Sequence, residues 1–194
     1  MPIIRNILAT IGLATVIIGG VGYYKVHDIL NFLDPEAVRV YQKVGIRFLQ
    51  NFDPGAAIVE VVPAKKGMKP EEVVDSLKSL AVQRNILFVG ESPFYKQAQA
   101  VLGKPYRFVS FLSFCDVRVG VQMADYNRAY TAFMPCRIAV VQDKDDPEQV
   151  YLTMMDLDMF IFGGKTLPPE LKANAIKVRD TLRALMEGAA QGQF

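Results

Sequence analysis

The stretch 111–164, FLSFCDVRVGVQMADYNRAYTAFMPCRIAVVQDKDDPEQVYLTMMDLDMFIFGG, limits the possible folds more than any other part of the chain. It contains three strand-like runs: the end of Arg107–Phe114, then Cys136–Gln142 and Val150–Met155. The last two are separated only by the acidic turn Asp143–Pro147, so they pair as antiparallel neighbours. The first of these runs is rich in aromatic and branched residues, as a strand should be. Both cysteines and five of the eight methionines also lie in this stretch.

The flanking segments supply helices and further strands. Ala57–Val62 and Asn85–Val89 read as strands. Between them, Lys69-Pro70-Glu71 opens a helix that carries Val73, Val74, Leu77 and Leu80 on one face. Ser92–Gly103 is helical in its QAQAVLG part. Asp116–Phe133 is helical at least in part, with Val117, Val121, Ala124 and Arg128 at helical steps. Pro168-Pro169-Glu170 starts a closing helix with Leu171, Ala175, Val178, Leu182, Leu185 and Met186 inward, and Lys172, Lys177, Arg179 and Arg183 toward solvent. The predicted fold is α+β: an antiparallel sheet covered by helices on one face.

The leading segment has a different character. Ile7–Tyr24 reads ILATIGLATVIIGGVGYY, eighteen residues without a charge, and at 1.5 Å per residue it reaches about 27 Å. Arg5 and Lys25 bracket it, and Tyr23 and Tyr24 sit where interfacial aromatics belong. We read residues 1–25 as a single membrane-spanning anchor in preference to a cleaved signal peptide. Gly12, Thr15, Gly19 and Gly22 form a small-residue face suited to a partner helix in lipid. The basic lead favours an inner-membrane, single-pass arrangement, with the bulk of the chain periplasmic or otherwise extracytoplasmic.

Residues 26–55 follow as a stalk. Asp34-Pro35-Glu36 is a helix start, with Asp34 as the cap and proline in the first turn. Ala37, Val38, Tyr41, Val44 and Phe48 form an apolar face, and Arg39, Lys43 and Arg47 fall four apart on another. The default is packing on the domain, with the charged row either solvated or touching lipid headgroups. Asp53-Pro54-Gly55 ends the helix, and residues 56–194 form the globular domain, a length that fits one core.

A net charge of +2 with no Lys or Arg run argues against nucleic acid as a partner. The single histidine, His27, is remote from both cysteines, so no zinc pattern forms.

The motifs FCD at Phe114–Asp116, MPCRIAVVQD at Met134–Asp143, YLTMMDLDMFIFGG at Tyr151–Gly164 and LPPELKANAIKV before a helix ending in LMEGAA resemble the domain-of-unknown-function family numbered 302, over about 59–190. The resemblance implies a strand-helix-four-strand-helix sandwich, related in shape to the TATA-binding-protein fold and in some members homodimeric. It implies no reaction.

Candidate site residues cluster around the two sulfurs. Cys115 ends one strand and Cys136 begins another. Three readings stand: core packing, a structural disulfide, or a redox or metal site in which Cys115, Cys136 and Met155 hold copper or serve a haem. No CxxCH is present, so covalent haem attachment is out. Asp156-Leu157-Asp158 places two carboxylates on one side of an extended chain. Arg137, inside an apolar strand, calls for a carboxylate partner among Asp116, Asp156 and Asp158. No catalytic set of base and nucleophile emerges. The expected function is a membrane-anchored, non-enzymatic accessory subunit of a larger membrane complex, with a membrane-protein partner or a second copy. The alternative is a thiol- or metal-dependent redox protein, and a third reading is a pocket for an apolar ligand between the sheet and the closing helix.

Overall fold

Strand alternation puts one apolar set on each side of the sheet, and helices cover only one of them. A computed structural model describes residues 2–194, apart from the side chains of 2–8, 25, 26 and 28–30. The leading part consists of α1 (Pro2–Phe32), α2 (Ala37–Asn51) and the short α3 (Pro54–Ala57). Then come β1 (Val59–Pro63), α4 (Pro70–Gln83), β2 (Leu87–Ser92), α5 (Phe94–Leu102) and β3 (Val109–Cys115). The chain continues through α6 (Val117–Tyr126), a 3-10 turn (Arg128–Phe133), β4 (Cys136–Gln142), β5 (Val150–Met155), α7 (Asp158–Phe162) and α8 (Pro169–Ala190). The five strands are antiparallel in the order β1-β5-β4-β3-β2.

The core lies between the sheet and the pair α4 and α8. Leu77 and Leu80 of α4 and Leu182, Leu185 and Met186 of α8 pack on Leu112, Phe114, Ile138, Val140 and Leu152. Truncating any one of these leucines to alanine would cost about 2–5 kcal/mol. The opposite sheet face carries Phe111, Ser113, Arg137, Ala139, Thr153 and Met155, which line an open groove of about 500 Å³. Met154 and Met155 point to opposite faces, as period-2 alternation requires. The edge strand β2 is bulged at Val89, where the register shifts between Phe88 and Gly90.

Several expectations are revised. The helix after Asp116 breaks at Asn127, whose side chain accepts from the Ala129 N–H and starts the 3-10 turn. Asp156–Asp158 is not extended, because Leu157 is already in the right-handed region and α7 follows. Asp34 does not cap α2 conventionally. Its Oδ1 accepts from the Glu36 N–H at 3.1 Å, while Oδ2 pairs with Lys172 of α8. The Asp34 N–H also donates to the Gly164 carbonyl at 2.8 Å, so the start of α2 is fixed to the domain. A second apolar cluster of Val40, Ile161, Phe162, Leu167, Leu171 and Ala175 packs α2 against α7 and α8.

The predicted anchor falls in part on side chains outside the description, those of Arg5 and Lys25 among them. Among the described residues no helix is long and apolar enough to cross a membrane. The described side chains of 9–24 cover about 24 Å of α1 at 1.5 Å per residue. Across them Ile11, Leu13, Val16, Ile17, Ile18, Val21, Tyr23 and Tyr24 are all exposed.

Candidate functional site

Glu60 is the lone acid of β1, and alternation turns it toward the helices rather than outward. There it meets Asp156 and Asp158, and the three carboxylates come within 4.8 Å of one another. Such spacing resembles a metal cage, but cationic side chains already fill the space. Lys43 Nζ of α2 lies 2.6 Å from Asp156, 3.5 Å from Asp158 and 3.8 Å from Glu60. Arg47 donates to Asp156 and to the Val59 carbonyl, each at 3.1 Å. From α8, Arg179 reaches Asp158 at 2.7 Å, and Arg183 grips Glu60 with Nε and Nη2 while also touching Asp158 at 3.1 Å. Three negative charges therefore face four positive ones, and another cation would have to displace one of them.

This arrangement corrects the reading of both basic rows. Lys172, Arg179 and Arg183 do not face solvent; Lys177 does. Lys43 and Arg47 point into the domain rather than at lipid headgroups, and only Arg39 remains outward, paired with Glu36. Burial raises the Asp158 pKa, but the Arg179 and Arg183 hydrogen bonds outweigh it and hold the carboxyl below its ordinary value. Arg183 is driven further up by its Glu60 bond. Asp156 Oδ1 also accepts from the Asp158 N–H at 3.1 Å and so shapes the turn into α7.

The second feature is an apolar cavity of about 90 Å³ at the end of the sheet where β3 passes into α6. Cys115, Cys136, Met123, Met134, Gly120 and Phe160 are among its lining residues. A Cβ on Gly120 would sit 3.5 Å from both Cys115 Sγ and Met134 Sδ, so both sulfurs border the glycine. Both cysteines are free thiols. Burial, followed by the nearby Asp116, raises the Cys115 pKa, while burial, followed by Cys115, pushes Cys136 up to about 11. Both groups are thus protonated at neutral pH and are weak nucleophiles. His27 stacks on Tyr23 in α1 at 5.9 Å, so no imidazole enters the cavity.

The remaining predicted residues are placed as follows. Met155 lines the open groove beside β1, which Met134 and Cys136 also border, and Met134 lines the thiol cavity as well. Arg137 is exposed and lies over the Phe111 ring at 5.5 Å. Among the described residues it makes no ion pair with Asp116, Asp156 or Asp158. Asp116 instead caps α6 through the Arg118 and Val119 N–H groups. Gly12, Gly19 and Gly22 look onto open space, and Thr15 bonds back to the Ile11 carbonyl at 2.9 Å.

Sequence reasoning overlooked Glu60, Lys43, Arg179 and Arg183 as a unit. The one local signal was Glu60 itself, a single carboxylate in an apolar strand that required a cation from elsewhere.

Comparison with known proteins bears on the fold. No curated protein matches the chain. A crystal structure of an uncharacterized conserved DUF302 protein from Bacillus stearothermophilus is similar, with a TM-score of 0.53 and 16% identity, covering 67% of this chain and 96% of that one. At that identity the likeness concerns the fold alone. Residues 61–189 match the family described as "Domain of unknown function DUF302", and the chain therefore belongs to the DUF302 family.

Proposed function

We propose that the chain is a membrane-tethered, non-catalytic module that docks as an accessory subunit on a larger membrane complex, with α1 in the bilayer and the domain on its extracytoplasmic side. The supporting observation is the exposure of α1. Ile11, Leu13, Val16, Ile17, Ile18 and Val21 are each more than half exposed. A helix that is apolar all round belongs in lipid or against other helices. The charge network fits the same reading, since it uses its acids and bases to fix α2 to the domain. Alkaline carbonate extraction tests the tether: the full chain stays in the membrane pellet and a variant lacking 1–25 is released. Mild detergent extraction and size analysis test the subunit role, which a lone monomer without a co-purifying membrane protein would sink.

A second reading rests on the sulfur cavity. Two thiols and a thioether in apolar surroundings suit a soft monovalent ion such as Cu(I), whose binding would release the thiol protons. Met134 lines the cavity with both thiols, and Met155 lines the adjoining groove with Met134 and Cys136. A haem macrocycle is too large for the cavity. Anaerobic Cu(I) titration decides it: the intact chain binds one equivalent and the Cys115→Ser, Cys136→Ser double variant binds none.

A further inference from the structure

Helix α2 is amphipathic in the reverse of the usual sense. Its charged residues Lys43 and Arg47 face the protein, with Ala37 and Val40 beside them in the packed side. Its large apolar residues Val38, Tyr41, Ile46, Phe48 and Leu49 face outward, reaching 66% exposure at Leu49, and Phe52 just past the helix end is 76% exposed. Of these, the Tyr41 hydroxyl reaches back, donating to the Gly163 carbonyl at 2.6 Å. At 100° per residue the five helical positions occupy an arc of roughly 160°, interrupted only by Gly45 and Gln42. No charged side chain falls within the arc. Arg39 stands at its rim.

We propose that this face of α2 lies in the membrane interface, with its apolar side chains among the acyl chains next to the headgroups and the domain riding on its charged side. The proposal rests on the tether reading above. The occupant follows from chain continuity. α1 ends at Phe32 and α2 begins at Ala37, five steps that span at most about 18 Å. The link is itself pinned to the domain through Asp34, Gly164 and Lys172. With α1 in the bilayer up to Tyr24, its last eight residues add at most about 12 Å before the link, so α2 starts within the link's reach of the membrane surface, and the side not held by the domain is the apolar one. An interfacial helix normally attaches partly through Lys and Arg to anionic lipid. Here those groups are used internally, so attachment depends on apolar burial and is insensitive to lipid charge.

The chain contains no tryptophan, so a single introduced indole reports without background. Full-length Leu49→Trp is reconstituted into phosphatidylcholine vesicles whose acyl chains carry bromine near the headgroup, and the mid-span reference at residue 16 into vesicles brominated toward the chain ends. Val16→Trp on α1 and Val101→Trp, an exposed position on α5, serve as references, and each variant is first checked for an unchanged urea midpoint. The expected result is about twofold or stronger quenching at Leu49, equal with and without phosphatidylglycerol, and none at Val101. Quenching at Val16 without quenching at Leu49 overturns the interfacial placement and leaves the tether standing. Quenching at Leu49 without quenching at Val16 supports the placement and removes the tether. Failure at both positions removes both.

Discussion

Replacing Asp156 tests whether the charge network holds α2 to the domain. The Asp156 side chain is only 2% exposed, and its partners Lys43, Arg47 and Arg183 are 35%, 29% and 27% exposed. Removing one member of a fully buried pair costs about 3–5 kcal/mol, because the remaining charge is stranded. The partners here recover part of their hydration, which reduces the cost by about half, to ~2 kcal/mol. Asp156→Asn should lose that amount while keeping an oxygen for the Asp158 N–H. Asp156→Ala should lose about 0.5–1 kcal/mol more, the worth of such a local side-chain cap. With a urea dependence of about 2 kcal/mol per molar, the midpoint falls by roughly 1 M for Asn. Combining Asp156→Asn with Lys43→Met should give a coupling of about 1 kcal/mol, since each change removes the same contact. An Asn variant within ~0.5 kcal/mol of the parent, additive with Lys43→Met, would refute the argument that these charges clamp the helix.

Three further outcomes follow from groups around the two sites. The Cys136 thiol pKa is raised from 9.0 to about 11, so the folded state holds its proton through a window in which the unfolded chain loses it. Stability attributable to this thiol is complete below pH 9 and falls by about 3 kcal/mol in all as pH rises to 11, a slope that Cys136→Ala removes in urea titrations. Asp158 behaves oppositely: its carboxyl is held low, so its contribution is present above the unfolded value near 4 and disappears as pH falls further, a loss that Asp158→Asn should flatten in acid-unfolding curves. Gly120→Ala puts its methyl at ordinary contact distance, 3.5 Å, from Cys115 Sγ and Met134 Sδ inside α6. It should therefore stabilise by about 0.5–1 kcal/mol, and a fall in calorimetric Tm would show that the cavity lacks the room.

The sequence was most legible where each local signal agreed with the global fold. Cys136–Gln142 and Val150–Met155 have their predicted bounds, because two short apolar runs joined by an acidic turn specify both strands and their pairing. The five residues of α7 escaped because DMFIF has too few positions to show a helical period. The α2 boundary at Asn51 was readable, but its orientation was not. Apolar-side-in is the ordinary rule for a helix on a domain. It is reversed here by acids at positions 60, 156 and 158, far from α2 in sequence. Met134, Cys115 and Cys136 line one cavity, while Met155 lines the groove that Met134 and Cys136 also border.

The pinned link at Asp34 bears on how this protein can be dissected. Excision at residue 61, where the family match begins, would discard Glu60, Lys43 and Arg47 together. Arg179 and Arg183 would then be left with Asp156 and Asp158, and Val40 would vanish from its apolar cluster. The smallest fragment that keeps every interlock intact starts at Leu33, which bridges Lys165, well ahead of the family match, so recombinant versions trimmed to the family outline would be missing a wall of their own building.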